Sequence, residues 1–335
     1  MLLGIVRGDR FEAKARELGI EPVDGLDLRA RGWPAPIVRD ARRLQALVRD
    51  ERVDVVHTHH SHDHWLARIA TLGSARRVPV VRTFHNQRSV RSGRASRWLY
   101  RRTAAAFAVS RVIEARCRES GMPPERVAWI PGIADTARFV PGADGRAIRE
   151  EFALGDAPVV VTVSRLAANR GHEALLAGFK VLLAEVPTAR LLLVGKGETR
   201  RSLERLVADL GLTRAAIFAG YRDRDLPVVL AAADCFALMS AGSDESCRAA
   251  LEAMAAARPV VARRVGALPE TVVDGETGVL LDDDRAENIA AGLRRVLDDR
   301  VAATAMGRAG RRRAEEVFSA DRAVSIVEAM YRAVT

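Results

Sequence analysis

Two acidic residues stand at the start of a predicted helix, where their spacing suits the binding of hydroxyl groups. Asp244 and Glu252 are eight positions apart, about two helical turns, so both carboxylates lie on one side of the helix. An apolar run at residues 234–239 predicts a buried strand directly before the loop that leads into it. The first N–H groups of a helix are unpaired and suit phosphate or carboxylate oxygens. The plain alternative is that Asp244 caps the helix and Glu252 is a solvent-exposed acid.

Two arginines follow another predicted strand. Arg165 comes just after the apolar run at residues 158–163, and Arg170 lies five residues further on, before Gly171. A guanidinium group presents a planar fork of donors, so two of them can bind a diphosphate more directionally than lysines would. The alternative is that both arginines are solvated side chains in an arginine-rich chain. In a parallel sheet, the ends of these two strands meet at one edge.

Alternating strand and helix patterns predict the elements that position these residues. The second half of the chain contains six strand-length apolar runs, each followed by a helical segment: residues 158–163, 190–194, 216–219, 234–239, 259–262 and 279–281. The first half contains a similar series, at residues 2–6, 53–58, 79–84, 104–109 and 127–131. Together they predict an α/β protein with two doubly wound, Rossmann-like domains. The Pro/Gly-rich segment 140–145 is the predicted linker between residues 1–140 and residues 141–318.

Composition limits the classes of partner. The chain has 335 residues, a net charge of +10 and an excess of arginine. This charge favours phosphate-bearing ligands or an anionic membrane face. The alternative is a general compositional bias toward arginine that has no specific function. Nucleic acid is disfavoured because no binding motif is present. We expect no membrane-spanning segment, since no apolar run reaches about 18 residues. Three cysteines and the lack of a basic leader favour the cytoplasm, at the inner face of the membrane if the chain binds one.

Several motifs resemble those of one enzyme family. The acids at 244 and 252 are followed by Leu-Glu-Ala-Met-Ala at 251–255, Arg-Pro-Val-Val-Ala at 258–262, Gly-Ala-Leu-Pro-Glu at 266–270 and Asp-Gly-Glu-Thr-Gly at 274–278. Upstream, residues 163–171 and 193–198 fit the same series. The pattern resembles the Glu-x7-Glu signature of retaining glycosyltransferases with the GT-B fold, group 1 and family 4-like. The first acid departs from it, because Asp244 is one methylene shorter than Glu.

The resemblance implies roles for individual residues. Arg165 and Arg170 would neutralise the departing nucleotide diphosphate, with Arg170 where the family usually has Lys. Asp244 would bind the donor sugar, and Glu252 would accept hydrogen bonds from the ribose hydroxyls. The remaining donor-binding positions are Gly195, which a tight turn also explains, Tyr221 and Arg222 near the base, and the backbone N–H groups of Glu245, Ser246, Cys247 and Arg248. In the first domain, His85 is expected to approach the donor sugar.

The implied activity is retaining, metal-independent transfer of a sugar from a UDP- or GDP-sugar to a glycan, lipid or small-molecule acceptor, as in cell-envelope polysaccharide biosynthesis. The nucleotide sugar is a substrate, and no cofactor is expected. The crowded histidines at 57–64 suggest a metal site only weakly, because they have no fixed ligand spacing. Arginines at three- or four-residue intervals between 88 and 102 suit an anionic lipid face or a phosphorylated acceptor, and equally a solvated surface.

Two departures from the family pattern leave alternatives open. The chain begins where the family would already have passed an opening βα unit of roughly 30 to 40 residues, and residues 130–135 differ from the family's Pro-Asn-Gly-x-Asp. A nucleotide-sugar epimerase on the same fold and a non-catalytic nucleotide-sugar-binding protein therefore remain alternatives. The apolar spacing of the tail, 319–335, predicts an amphipathic helix, and the resemblance implies that this helix returns to the first domain. The oligomeric state is open.

Overall fold

The computed structural model describes residues 1–6, 8, 10–29, 34–72, 74, 76–241 and 246–335. The chain forms two compact units. The first contains residues 1–109, 113–130 and 326–335, and the second contains residues 110–112 and 131–325. The domain limits drawn from the sequence, at 140/141 and 318/319, stay a prediction.

A four-stranded parallel sheet forms the centre of the first unit. Its strands are β1 (Val56–Thr58), β2 (Val80–Phe84), β3 (Ala105–Ala108) and β4 (Val127–Trp129), in the order β1-β2-β3-β4. Its helices are α1 (Arg10–Glu17), α2 (Pro34–Asp50), α3 (Ser61–Thr71) and α4 (Arg94–Tyr100), and α5 (Arg111–Glu119) follows β3. The strand predicted at residues 2–6 is wrong, because Leu3 and Pro22 form only an isolated bridge. Pro22 has no N–H group with which to extend a ladder.

A six-stranded parallel sheet forms the centre of the second unit, as the sequence predicted. The strands are β5 (Val159–Val163), β6 (Arg190–Val194), β7 (Ala216–Gly220), β8 (Cys235–Leu238), β9 (Val260–Arg263) and β10 (Gly278–Leu281), in the order β10-β9-β8-β5-β6-β7. The helices are α6 (Arg146–Glu151), α7 (His172–Leu182), α8 (Arg200–Asp209), α9 (Leu226–Ala231), α10 (Arg248–Ala255), α11 (Leu268–Thr271), α12 (Ala286–Leu297) and α13 (Arg300–Val317). The last helix, α14 (Ala320–Val334), begins in this unit, and its residues from 326 onward belong to the first. In the part of the chain that the structure describes, no helix combines the length and apolarity needed to cross a bilayer.

The sequence forms these strands because their side chains are apolar on both faces. Leu191, Leu192 and Leu193 of β6 are all completely buried, as expected for a parallel sheet covered by helices on both sides. In the first unit, the end of α14 packs on the sheet through an apolar stripe at positions 327, 330, 331 and 334, next to Val81 and Phe107. The periodicity of the tail predicted an amphipathic helix with Val327 and Met330 on its apolar side, and the structure adds Tyr331 and Val334.

A buried polar network lies on the other face of the first sheet. The Arg82 guanidinium donates to Nδ1 of His64 at 3.3 Å and to the Ser61 hydroxyl at 3.0 Å, and it stacks 4.3 Å from the Phe84 ring. Because arginine only donates, Nδ1 of His64 must accept, so the proton lies on Nε2, 2.9 Å from the Thr103 hydroxyl. Burial, and then the charge of Arg82, lowers the pKa of His64 to about 3. The neutral imidazole is therefore part of the fold.

Arg311 of α13 links three segments of the second unit. Its guanidinium donates to the carbonyl oxygens of Phe139 at 2.6 Å, Ala255 at 2.7 Å and Thr136 at 3.1 Å, and it pairs with Glu315 at 2.6 Å. The contact with Ala255 fixes the end of α10, the helix that follows β8. One side chain thus satisfies carbonyl groups that would otherwise need other partners.

We expect Arg311→Met to lower the free energy of unfolding by about 3 kcal/mol, because it removes charge-assisted hydrogen bonds and leaves partly buried carbonyl groups unsatisfied. Urea unfolding measures the change. Arg312→Met, at the exposed neighbouring position, is the matched control and should stay within about 0.5 kcal/mol of the unmodified protein. Equal destabilisation by both variants would contradict the role given to Arg311.

His64 should make the protein sensitive to acid. Its pKa is lower in the folded state than the ordinary value of about 6.5 in the unfolded chain. The unfolded state therefore binds an extra proton as the pH falls below about 6.5, and stability decreases until about pH 3. Between pH 7 and pH 5 this one group costs about 2 kcal/mol of unfolding free energy. His64→Gln, which keeps an acceptor for Arg82 and a donor for Thr103, should flatten that dependence in urea unfolding. If the unfolding free energy of the variant depended on pH as steeply as that of the unmodified protein, His64 would not be the source of the acid sensitivity.

Candidate functional site

The order of the strands in the second sheet reverses between β5 and β8. These two strands are neighbours in the sheet, and the chain leaves them toward opposite sides of it. The segments that leave them, starting at Ser164 and Met239, begin at the carboxyl edge of the sheet, which is where doubly wound folds bind ligands. Arg165 and Arg170 lie on the first of these segments. Asp244 and Glu245 lie outside the described residues, so their roles stay predictions.

Main-chain contact holds the loops at this edge together. Gly195, after β6, has φ +150°, and a Cβ atom there would lie 1.9 Å from the carbonyl oxygen of Ser164. Gly171, with φ +72°, would place a Cβ atom 2.6 Å from that of Met239. Only glycine allows these approaches without moving the backbone. Gly195 therefore has a structural function in addition to the ligand contact predicted for it.

Arg165 and Arg170 both act on one carboxylate, although only Arg165 is shown in contact with it. The Arg165 Nη2 atom lies 2.9 Å from Oε2 of Glu198, on the loop that follows β6. The backbone N–H of Glu198 and then the Arg165 side chain lower the pKa of this carboxyl, and the charges of Arg165 and Arg170 act in the same direction. Both arginines are thus near Glu198. The sequence analysis missed Glu198, for which the signal was its position directly after Gly-Lys-Gly.

A serine–histidine hydrogen bond closes the arginine loop. The Ser164 hydroxyl and Nε2 of His172 are 2.9 Å apart, and these residues stand at the two ends of the loop. His172 is 2% exposed, and within the described residues its Nδ1 atom has no hydrogen-bond partner. Burial lowers the pKa of His172, so the ring is neutral at neutral pH. This bond fixes the base of the loop that carries Arg165 and Arg170, and the sequence analysis missed it.

In the part of the chain that the structure describes, the first turns of α10 carry a mostly buried carboxyl group, that of Glu252. Ser246 and Cys247 are buried, and Cys247 has φ +54° at the cap position. The Glu252 side chain is 15% exposed, and the Arg248 guanidinium, 78% exposed, lies 3.5 Å from it. Burial raises the pKa of Glu252, while the charges of Arg248 and Arg138 oppose the shift. A carboxylate in such a recess gains from ligand hydroxyl groups that replace lost water.

The loops after β6 and β7 also lie at the carboxyl edge of the second sheet, and they carry Lys196, Tyr221 and Arg222. Tyr221 is 55% exposed, and the Lys196 ammonium lies 4.6 Å from the centre of its ring. Arg222 is engaged within the unit: it donates to the Ala219 carbonyl at 3.0 Å, pairs with Asp225 at 2.8 Å and also pairs with Glu151. Any contact of Arg222 with a base would therefore involve its backbone, while Tyr221 presents an accessible ring.

In the first unit, His85 follows β2 and belongs to a row of histidines. Its Nε2 atom is 3.1 Å from Nδ1 of His59, and the His59 ring stacks on that of His57 at 4.7 Å. His57 in turn hydrogen-bonds the hydroxyl groups of Thr83 at 2.8 Å and Tyr331 at 2.5 Å. Across the described ranges, no group of three or more His, Cys, Asp or Glu residues is arranged to hold a metal ion.

Comparison with known proteins assigns the two halves of the chain. A family model described as "Glycosyl transferases group 1" matches residues 144–313, and one described as "Glycosyltransferase Family 4" matches residues 5–138. A "GDP-mannose-dependent alpha-(1-6)-phosphatidylinositol monomannoside mannosyltransferase" of Mycolicibacterium smegmatis is 38% identical over 211 residues, which are 61% of this chain and 55% of that protein. A "D-inositol 3-phosphate glycosyltransferase" of Acidothermus cellulolyticus is 29% identical over 303 residues, 83% of this chain and 66% of that one. The chain thus spans about half to two thirds of the length of these relatives.

Solved structures share the architecture. Anabaena HepE in complex with UDP and glucose has a TM-score of 0.82 and 20% identity, with 99% of this chain and 90% of HepE covered. Sucrose-phosphate synthase of Thermosynechococcus elongatus has a TM-score of 0.77 and 24% identity, with 94% and 82% covered. These likenesses concern the fold, and they confirm the two parallel-sheet units that the sequence predicted. Since one family model alone matches half of it, the chain belongs to the glycosyl transferases group 1 family, with that family's GT-B fold.

Proposed function

We propose that this protein transfers a sugar from a nucleotide diphosphate donor to an acceptor hydroxyl group, with retention of the anomeric configuration and without a metal ion. The observation that carries the proposal is the position of Arg165 and Arg170 on one loop at the strand-order reversal of the second sheet, where both act on Glu198 and where Ser164 and His172 close the loop. That edge is where a parallel sheet of this type presents its ligand site. Two guanidinium groups there suit a diphosphate.

The two arginines would act on the leaving group. When the bond from the sugar to the diphosphate breaks, negative charge grows on the phosphate oxygens, and fixed positive charge lowers the energy of that state. Arg165 already donates to a carboxylate, Glu198, at 2.9 Å, so its fork is oriented for an anion before any ligand is bound. Arg170 adds the second charge. The start of α10 would add backbone N–H groups, including those near Ser246 and Cys247.

The transfer step balances without a protein nucleophile. The bond between the anomeric carbon and the phosphate oxygen breaks, and a bond to the acceptor oxygen forms on the same face of the sugar. The acceptor proton passes to the departing phosphate oxygen, which lies on that face. Asp244 would orient the sugar hydroxyls, and His85 in the first unit is proposed to contact the same sugar. Glu252 would hold the ribose, with Tyr221 beside the base and Arg222 near it through its backbone.

The named relatives support a particular donor and acceptor class. The relative from Mycolicibacterium smegmatis is named as GDP-mannose-dependent and as acting on a phosphatidylinositol mannoside, and the relative from Acidothermus cellulolyticus is named for inositol 3-phosphate. We therefore propose a GDP-sugar as the first donor to examine, a UDP-sugar as the second, and a lipid-linked or phosphorylated polyol as the acceptor. Cys117 and Cys235 are buried and form no disulfide, which supports a reducing compartment, so we propose that the reaction takes place in the cytoplasm.

The decisive experiment combines ligand binding with turnover. GDP and UDP should each be tested by thermal shift, since a ligand bound only by the folded state raises the melting temperature. Replacing Arg165 and Arg170 by alanine together should weaken binding of the preferred nucleotide about a hundredfold, or ~3 kcal/mol, because two charge-assisted contacts are lost. The same double variant should release nucleotide from the sugar donor more slowly than the unmodified protein, in the presence of acceptor.

The matched control is Arg201→Ala with Arg214→Ala, two exposed arginines of the second unit that form no ion pair within the described residues. It should leave nucleotide affinity unchanged. Unchanged affinity in the Arg165/Arg170 variant would refute the site. Tight nucleotide binding without acceptor-dependent release would refute the transferase and leave a binding protein, whereas interconversion of two free nucleotide sugars would identify an epimerase.

Glu252→Gln should weaken the binding of GDP about tenfold, because an amide is a poorer acceptor than a carboxylate for two ribose hydroxyl groups. The affinity for 2′,3′-dideoxy-GDP should not change, since that ligand lacks both hydroxyls. Isothermal titration of both ligands measures the difference. Glu316→Gln, at an exposed position of α13, is the control. An equal loss for both ligands would show that Glu252 supports the fold and does not bind the ribose.

A further inference from the structure

The net positive charge of this protein is concentrated in one stretch. Residues 64–113 contain 11 arginines and no aspartate or glutamate. The remaining 42 basic residues of the chain are balanced by 43 acidic ones, so the net charge of +10 comes from this stretch alone. A general bias toward arginine would place basic residues everywhere, but it would not remove every acid from 50 consecutive positions. The stretch therefore requires its own explanation.

Most of these arginines lie on the surface of the first unit without a counterion. Arg82 is buried in the sheet, and Arg76 pairs with Asp54 at 2.7 Å. Within the described residues, eight others of the first unit form no ion pair: Arg68, Arg77, Arg88, Arg91, Arg94, Arg97, Arg101 and Arg102. Burial and then the charges of Arg102 and Arg77 lower the pKa of the Arg68 guanidinium, so these like charges are close together. Such repulsion is relieved by an anionic partner.

Two stacked tryptophans lie among these charges. The rings of Trp65 on α3 and Trp98 on α4 are parallel to within 5°, with their centres 6.0 Å apart. The Arg102 guanidinium is 4.3 Å from the centre of the Trp98 ring, and that of Arg68 is 6.0 Å away. Trp98 is 39% exposed. An indole ring with a cation over it and one edge in solvent is typical of a membrane interface.

An apolar stripe continues from the tryptophans along α3. Ile69 lies one helical turn after Trp65 on α3, and Leu72 directly follows the end of that helix; they are 46% and 47% exposed. We call this surface the tryptophan–arginine face: Trp65, Arg68, Ile69, Leu72, Trp98 and Arg102. It combines exposed apolar groups with uncompensated positive charge on adjoining elements.

We propose that the tryptophan–arginine face docks on the surface of an anionic phospholipid bilayer. The arginines would bind lipid phosphates, while Trp98, Ile69 and Leu72 enter the boundary between headgroups and acyl chains. Charge alone would also suit nucleic acid, but the faces by which Trp65 and Trp98 would stack on bases are occupied by each other and by Arg102. Exposed aliphatic side chains gain nothing from a nucleic acid, whereas a bilayer buries them.

The docking does not require the proposed sugar transfer, and its test is independent of activity. The full chain is floated with vesicles of phosphatidylcholine alone and with vesicles in which about one third of the lipid is phosphatidylglycerol. We expect binding only to the anionic vesicles, with an affinity that falls as salt is added. Arg68→Gln with Arg102→Gln should lower the affinity about thirtyfold. Ile69→Ser with Leu72→Ser should lower it at least about tenfold, since two exposed apolar side chains no longer enter the bilayer.

The control variants carry the same chemical changes elsewhere. Arg201→Gln with Arg214→Gln removes two exposed charges from the second unit, and Val301→Ser removes a valine that is 81% exposed. Neither should change vesicle binding. In the unmodified protein, the tryptophan emission should shift to shorter wavelength with anionic vesicles, and Trp98→Ser should remove most of that shift.

Three results would overturn the proposal. The first is the absence of binding to anionic vesicles, and the second is an equal loss of binding in the face variants and in the controls. The third is tighter binding to a single-stranded oligonucleotide than to vesicles, lost in the same face variants, which would assign the face to nucleic acid. Melting temperatures near that of the unmodified protein would show that every variant tested is folded.

Discussion

The second unit depends on direct contact between main-chain segments at the carboxyl edge of its sheet. The chain after β6 passes so close to the carbonyl group of Ser164 that Gly195 has no room for a side chain, and Gly197 stands in the same relation to Leu166. Contacts of backbone with backbone leave little freedom, since no rotamer change can open or close them. The loop that carries Arg165 and Arg170 therefore starts from a fixed position, and the bond from Ser164 to His172 fixes where it ends.

This rigidity matters because the loop concentrates like charges. Arg165 and Arg170 both act on the Glu198 carboxyl, and two guanidinium groups near one carboxylate repel each other to a degree set by how well water screens them. Glu198 offsets part of that repulsion, and it is exposed, so it can move toward solvent when a more highly charged ligand arrives. A bound diphosphate would then take the place of the Glu198 carboxylate and offer several oxygen atoms to the guanidinium donors, which are already in position. Pre-orientation of this kind stabilises developing charge without reorganisation during the reaction.

The sequence predicted the features that depend on residues near each other in the chain. The six strands of the second unit follow from continuous apolar runs, and the apolar stripe of α14 follows from its helical period. Pairings between distant residues carry no such local pattern. The hydrogen bonds from Arg165 to Glu198 and from His59 to His85 each join different loops, and the occupied side chain of Arg222 depends on Glu151, 71 positions away. The order of the strands also came only from the structure.

Arginine has different functions in the two units. In the second unit, arginines such as Arg149, Arg222 and Arg264 pair with aspartate or glutamate. Arg311 binds carbonyl groups. The positive charge of these side chains is therefore compensated within the fold. In the acid-free stretch of the first unit, Arg76 pairs with Asp54, whereas the eight surface arginines named above form no ion pair within the described residues. Folding gains nothing from like charges such as those of Arg68, Arg77 and Arg102 lying near one another, since each adds repulsion. Their arrangement around exposed indole and aliphatic groups therefore has to be explained by what the surface binds, and not by the stability of the chain.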